Sequence, residues 1–487
     1  MKSANVVQPL YEQLSSIVGE PNVLVTETDI AAYLEEPRGL YKSIADAVVF
    51  PASVKEISTI IEICAAFGVS VVPQGGNTGL SGGAVSQHGQ IILNLRRLNQ
   101  IIGIDTVNDT ITVEAGCILA DIQKVALDAD RYFPLSLGAE GTCQIGGNLS
   151  TNAGGINVLR YGNIRNQVLG LQAVLSDGSI WNDLSELQKN NTGYDLRHLI
   201  IGSEGTLGII TQAVLRLFPR PRQVETAFIA LRDLEASLEL LSRARVDSGS
   251  SLSSYELVPG LGVELATRHI PGCRNPLTAS YDWSIIMVYS TSGDSHHLRE
   301  AIETTLSSGI EDGILVDAVI SQNEQQARQI WAIREGLREA QAIEGEAFSY
   351  DISVKVSKVP ELIRRADEKA TQLIRDVRCY PFGHVGDGNI HLNFLHTLRK
   401  NESGYSSKRL AFNDMVFELV HQLGGSFSAE HGVGLLKLEQ MNRYKNPTAL
   451  NMMRSIKQAL DPNGILNPGK VVPGIKYLGA ELTDDEP

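Results

Sequence analysis

Two short segments hold most of the residues in this chain whose types and spacing could do chemistry. They are Gly383-His384-Val385-Gly386-Asp387-Gly388-Asn389-Ile390-His391-Leu392-Asn393 and Ser428-Ala429-Glu430-His431-Gly432-Val433-Gly434. His384 and His391 stand seven apart, with Gly-Asp-Gly between them opposing a helix. On a flat strand they would point to opposite faces, but the glycines let the backbone turn so that both rings converge. Two imidazoles and the carboxylate of Glu430 form a three-ligand set with open positions, the pattern of catalytic zinc. Asn393 shares the face of His391 two residues on. His431, directly after Glu430, is better placed as a general base than as a further ligand; the other reading is that it orients a ligand. A single histidine would more simply be a polar loop residue, but two His, an Asn and a glycine-flanked Glu-His argue for function.

These groups need a scaffold and a reaction partner. Val54 to Cys64 has helical spacing of apolar residues and ends near Gly68, and Val69 to Val72 reads as a short strand. The loop Pro73-Gln74-Gly75-Gly76-Asn77-Thr78-Gly79-Leu80-Ser81-Gly82-Gly83 follows, and then a strand, Gln90 to Leu95. A Rossmann or Walker loop must open a helix; this one joins two strands, so it cradles its ligand differently. Two further glycine-rich segments, Gly138 to Gly155 and Gly202 to Thr211, read as loops whose N–H groups, with those of the first, could wrap a large phosphate-bearing cofactor. Pro219 and Pro221 mark a boundary. Beyond it, helices (Leu234 to Ala244, Glu324 to Glu344, Val359 to Asp376) alternate with strands (Trp283 to Tyr289, Ile390 to Phe394), an α+β pattern. Arg334 and Arg338 share one helix face, equally suited to solvent or to an anion. The last helix is expected over Met452 to Leu460, and the tail Asp484 to Pro487 is expected to be disordered.

With 487 residues the chain exceeds one core. Hydrophobic residues at 43% and charged residues at 20% favour folded domains over disorder. A formal charge of -14 argues against nucleic acid as a partner. Cys64, Cys117, Cys143, Cys273 and Cys379 include no CxxC pair, so neither a disulfide framework nor a zinc finger is expected. With no apolar signal core at Met1 to Gln8, a cytoplasmic location is expected.

Taken together, PQGGNTGLSGG, GGNLSTNAGG, RYGN, NTGYDL, GSEGTLGIIT, GHVGDGNIH and SAEHGVG, standing in this order between Ala47 and Lys470, resemble the vanillyl-alcohol oxidase/p-cresol methylhydroxylase flavoprotein family. Within it they look like the FAD-linked D-2-hydroxyacid dehydrogenases, the D-2-hydroxyglutarate group first and the D-lactate group next. The resemblance implies an α+β fold: a two-subdomain PCMH-type FAD-binding domain (1–220), a substrate or cap domain (221–425), and a short C-terminal helical segment (426–487) that completes the active site and packs back on the FAD domain. It implies noncovalent FAD held by Pro73, Gly75, Gly76, Asn77, Thr78, Gly79, Leu80 and Ser81. Pro134, Gly138, Gly141, Thr142, Gly146, Gly147, Asn148, Thr151 and Asn152 would join them, with Glu204, Gly205, Ile210 and Asn467. It further implies a divalent metal, zinc first, on His384, His391 and Glu430. His431, Arg334 and Asn393 are the implied catalytic residues: a base, a carboxylate grip and a substrate contact.

The implied reaction is metal-assisted oxidation of a D-2-hydroxy acid with hydride transfer to flavin N5. D-2-hydroxyglutarate, giving 2-oxoglutarate, is the first substrate; D-lactate or D-malate is the alternative. Electron-transfer flavoprotein or a quinone would reoxidise the flavin, and such relatives are commonly homodimers. A non-redox FAD transferase on the same fold, or a noncatalytic FAD-binding subunit, fits the motifs less well. One departure stands out. Ser349 occupies a position where hydroxyglutarate-type relatives usually carry lysine, Lys355 stands where proline is common, and Arg338 is an added cation, so the pocket for a distal carboxylate is expected to be rebuilt or lost.

Overall fold

The computed structural model describes residues 8–293, 297–400 and 402–475. The tail from Asp484, most of the Met1 to Gln8 segment and His296 lie outside them. In the first half, strands Ala47–Val49 and Ser70–Gln74 both pair in parallel with Gln90–Asn94. The helix Val54–Phe67 makes the crossover. Its apolar positions Ile57, Ile60, Ile61 and Cys64 recur at helical spacing and are buried. Ser53 caps it by accepting from Glu56 N–H, while a Glu56 carboxylate oxygen accepts from Ala52 N–H at 2.7 Å. Gly68, at φ 68°, ends it. The glycine loop leaves directly from Gln74, whose side chain accepts from Asn94 Nδ2 at 3.0 Å.

A second, antiparallel sheet orders its strands Ile101–Asp105, Thr110–Glu114, Ile209–Arg216, Val168–Val174, Ile180–Asp183. Between the sheets the segment 138–155 departs from the expected loop. Ile145–Thr151 is helical despite two glycines. Gly146 presses so close to Ala115 that a Cβ would lie 2.7 Å from the Ala115 methyl. Close packing outweighs the weak helix propensity. One core runs from Leu10 to Leu217 and takes in Ile465 and Leu466 from the far end of the chain. Val71 N–H donates to Ile465 O at 2.7 Å, and Asn467 N–H to Val71 O at 2.8 Å.

Beyond Pro219 the strands Leu252–Pro259, Trp283–Thr291, Gln223–Leu231 and Leu315–Ile320 form a four-stranded antiparallel sheet, in that order. Glu346–Ser353, Asn389–His396 and Arg378–Phe382 form a three-stranded one. A bridge between Leu257 and Gly383 links the two. The helix Glu324–Glu344 has the bounds its periodicity predicts. The last helix, Pro447–Leu460, starts five residues before the expected Met452, because Asn446 caps Ala449 N–H and Pro447 suits the first turn. Among the described residues no helix is long and apolar enough to cross a membrane, and all five cysteines are free.

Candidate active site

Strand pairing builds the centre of the site. Asn389–His396 lies between two partners, with His391 opposite Asp351 on one side and Phe382 on the other. The turn before it passes through Gly383 at φ 127° and Gly388 at φ 87°. That brings the His384 and His391 rings to 5.5 Å between centroids. Ligand atoms of His384, His391 and Glu430 all lie within 4.8 Å of one another. His384 Nε2 is 3.7 Å from Glu430 Oε1. Two imidazoles and a carboxylate at this spacing suit a divalent cation with positions left for substrate.

Behind His384 stands Glu256, 1% exposed, which the motifs did not single out. Its Oε1 lies 2.6 Å from His384 Nδ1, and its Oε2 accepts from Arg334 Nε at 2.7 Å. A carboxylate on the far nitrogen fixes the ring so that Nε2 faces Glu430. Burial alone would raise Glu256, but His384 and Arg334 hold it down to about 2. Burial alone would lower His384, but Glu256 and Glu430 push it up to about 9. Burial raises Glu430 to about 7, with His384 opposing. His391 is driven well down, by burial first and then by Arg334.

Asp351, His391 and His431 form a second close set. Asp351 is already engaged: Oδ2 accepts the N–H groups of Glu430 and His431, both at 2.9 Å, and Oδ1 accepts Asn389 Nδ2 at 3.0 Å. Against burial, His431 and Lys437 keep Asp351 well below the usual carboxylate range. It therefore acts as the anchor of the Glu430-His431 peptide, and its Oδ2 stands 3.6 Å from His431 Nδ1. Burial lowers His431 to about 4, with Asp351 opposing, and an imidazole in this place can accept a proton. Asn393 is buried, and its Nδ2 donates to the His391 and Tyr380 carbonyls at 3.1 and 3.3 Å. Arg334 lies over the Phe382 ring, 4.9 Å from its centroid.

The segment carrying His431 is tied to the first half. Glu204 accepts Val433 N–H at 2.7 Å and Gly434 N–H at 2.9 Å, and Ser81 O accepts Leu435 N–H at 3.0 Å. These ties put His431 on the wall of a cleft lined by residues of all three glycine-rich segments. Gly75, Gly76, Asn77, Thr78, Gly79, Ser81, Gly146, Gly147, Asn148, Thr151, Gly205, Ile210 and Pro73 stand on that wall, as does Glu204. Both Glu204 oxygens are committed to backbone N–H groups, so its part is to hold the loops rather than to bind. Leu80, Pro134, Gly138, Gly141, Thr142, Asn152 and Asn467 stand off the wall. Asn152 ends its helix at φ 53° and accepts Arg165 N–H. Asn467 Nδ2 clamps the carbonyls of Gly83 and Glu204. Gln144 and Ser150, inside the Gly138 to Gly155 segment but not among the residues expected to hold FAD, do line the cleft.

The cleft fits a pyrophosphate-bearing cofactor on its own chemistry. Among the described residues, the N–H groups of residues 76–80 donate to no carbonyl or side chain, and a row of such donors cradles an anion. Gln144 Oε1 and Asn148 Oδ1 are buried on the wall without a partner. A Cβ on Gly76 would sit 2.2 Å from Thr142 O, so only glycine lets the two loops close.

Fold and site together define a flavin-linked oxidoreductase. Residues 45–183 match the FAD binding domain family, and 220–471 match the FAD linked oxidases, C-terminal domain. A "Probable D-2-hydroxyglutarate dehydrogenase, mitochondrial" of Oryza sativa subsp. japonica is 39% identical over 94% of this chain and 80% of its own length. The D-2-hydroxyglutarate dehydrogenase of Stutzerimonas stutzeri is 33% identical over 95% and 98%. The chain belongs to the FAD-linked oxidases and, within them, to the D-2-hydroxyglutarate dehydrogenase family. Among solved structures, p-cresol methylhydroxylase with substrate bound superposes with a TM-score of 0.75 at 16% identity, over 98% of this chain and 99% of that one. An alkyldihydroxyacetonephosphate synthase superposes with a TM-score of 0.75 at 15% identity, over 96% and 87%. These two show the PCMH-type fold and nothing further. The expected cytoplasmic location is corrected: the relatives from rice, Arabidopsis thaliana and Danio rerio are mitochondrial by name. The absence of an apolar signal core is too weak a signal to decide a compartment.

Proposed function

We propose that this FAD-linked dehydrogenase oxidises a D-2-hydroxy acid, D-2-hydroxyglutarate first, with His431 taking the hydroxyl proton. One observation carries the assignment of the base: His431 lies both on the wall of the cofactor cleft and beside the His384, His391 and Glu430 set. The chemistry FAD supplies when bound in that cleft is acceptance of the hydride that leaves C2. The chemistry a divalent cation, zinc first, supplies on His384, His391 and Glu430 is polarisation of the substrate's hydroxyl and carboxylate. Proton and hydride together remove two electrons and convert the alcohol to a 2-oxo acid. Arg334 has one N–H committed to Glu256 and offers the others to the substrate carboxylate. Asp351 sets the position of His431 through the peptide N–H groups it holds. Asn393, two residues along from His391, faces the same side and contacts substrate. The reoxidant is an electron-transfer flavoprotein or a quinone.

An anaerobic titration of the flavin-loaded protein with D-2-hydroxyglutarate, D-malate and D-lactate tests this reading. One D-acid should bleach the flavin absorbance, its L-isomer should not, and a chelator should abolish the effect. His431→Ala should retain FAD yet slow reduction by about 10²–10⁴-fold. Bleaching at the wild-type rate in that variant would remove His431 from the role of base. The transferase reading predicts no bleaching by any acid.

A further inference from the structure

Lys437 is 5% exposed and takes no part in the chemistry above. A buried ammonium needs a reason, because taking the charge out of water is costly. Its Nζ donates to Ser428 Oγ at 2.8 Å. Ser428 is the first residue of SAEHGVG, and its Oγ donates in turn to Gly432 O at 2.6 Å. Chemistry fixes the direction of both bonds. An ammonium can only donate, so the Ser428 oxygen accepts from it, and the one hydroxyl proton is left for Gly432 O. Ser81 Oγ, from the cofactor loop, donates to the same carbonyl at 3.2 Å. Gly432 O thus spends its two lone pairs on one donor from each half of the chain.

Gly432 follows His431 directly and turns at φ 75°, where a Cβ would lie 2.6 Å from Glu204 Oε1. Asp351 accepts the N–H groups of Glu430 and His431 before it, and Glu204 accepts those of Val433 and Gly434 after it. The peptide between Gly432 and Val433 is therefore gripped on both edges: its N–H lies on Glu204, and its carbonyl lies on Ser428 and Ser81. Lys437 N–H closes the turn by donating to Val433 O at 3.1 Å. Lys437 caps the helix Leu438–Tyr444, so the ammonium is anchored at the start of an element outside the turn. Burial lowers Lys437 to about 8, with Asp351 and then Glu204 opposing. The cation thus stands in the field of both carboxylates that hold the same turn.

We propose that Lys437, acting through Ser428, is a positioning residue for His431: it aims the Ser428 hydroxyl at Gly432 O and so holds the turn of His431 against the cofactor loop. This rests on the proposed function, in which His431 is the base. Neither Lys437 nor Ser428 touches the reacting atoms. Without the ammonium, the Ser428 proton is free to turn away, and Ser81 alone ties the carbonyl to the cofactor loop. A lysine that only filled the core would be felt in stability. One that aims the turn is felt in the rate of the step that needs His431 in place.

The test is flavin reduction by D-2-hydroxyglutarate in a single anaerobic turnover of the flavin-loaded protein. Lys437→Met should slow it about 10- to 100-fold. Flavin per chain should be unchanged, and 2-oxoglutarate binding, followed calorimetrically, should stay within about twofold. Ser428→Ala should slow reduction by a similar factor, and Ser428→Thr, which keeps the hydroxyl, should recover most of the rate. Ser428 is half-buried, so its alanine variant keeps the test open if Lys437→Met does not fold. The double variant should be no slower than the slower single one, because both changes cut the same chain of bonds. Losses that multiply would overturn the link, as would FAD lost in step with rate. Wild-type rates in both single variants, where His431→Ala is slow, would overturn it too. Hydrogen exchange of the peptide 428–434 reads the same link without catalysis. It should be about 10-fold faster in Ser428→Ala, and exchange as slow as in the wild type would sink the link alone. Faster exchange in Ser428→Ala together with a wild-type rate in His431→Ala would sink His431 as the base and keep the hold on its turn.

Discussion

Glu256 shows how much one buried carboxylate can organise. It lies in Leu252–Pro259, a strand buried at every position, and it touches both His384 and Arg334. Glu256→Gln keeps the shape but withdraws the charge that orients His384. Metal affinity should fall about 10- to 100-fold, read by competition with a chromophoric chelator. Unchanged affinity would show that His384 needs no carboxylate behind it. The convergence of His384, His391 and Glu430 is legible in the sequence because glycines on both sides of the histidines leave few other ways to use them. Glu256 and Asp351 are not, since each sits alone in a strand run, Ser-Tyr-Glu-Leu-Val or Tyr-Asp-Ile-Ser-Val. The signal is present all the same: an acidic residue inside an otherwise apolar strand must be paired or bonded to stay there.

At the scale of elements, two kinds of glycine look alike in the sequence. Some of them shape a turn, whereas Gly76 and Gly146 allow one piece of backbone to touch another. Gly-Gly-Asn is poor helix material, so Ile145–Thr151 reads as loop, yet contact with Ala115 makes it a helix. The long amphipathic helix Glu324–Glu344 is legible because its apolar spacing and its Asn323 cap agree with its packing. Gly76→Ala places a Cβ against Thr142 O, and backbone cannot step aside as a flexible side chain would. It should cost about 1–3 kcal/mol of stability and most of the bound FAD, measured by denaturant unfolding and by flavin absorbance per chain. Gly103→Ala, in a strand with nothing within 4 Å of its Cβ, is the control and should retain both. Full flavin retention by Gly76→Ala would mean that the two loops need not approach so closely.

The whole molecule is held together by a chain that leaves its first core and returns to it. Ile465 and Leu466 rejoin the residues around Val71, Asn467 clamps two loops, and Glu204 grips the segment that carries His431. The cofactor cleft and His431, the proposed base, therefore come from opposite ends of the sequence, and Glu204 supplies two of the bonds that fix their relative position. It does so from inside the protein, where burial raises its pKa and the Val433 and Gly434 N–H groups oppose that rise. Glu204→Gln leaves one oxygen to accept and turns an NH₂ toward a backbone donor. The orphaned N–H should cost about 1–3 kcal/mol. Because the cofactor loops keep their own packing, FAD content should remain near one per chain. His431 lies two residues from the released Val433, so the rate of flavin reduction in a single anaerobic turnover should fall while substrate binding changes little. Loss of FAD in proportion to loss of rate would place the role of Glu204 in cofactor binding. A slowed reduction with FAD retained would place it in holding the base against the cleft.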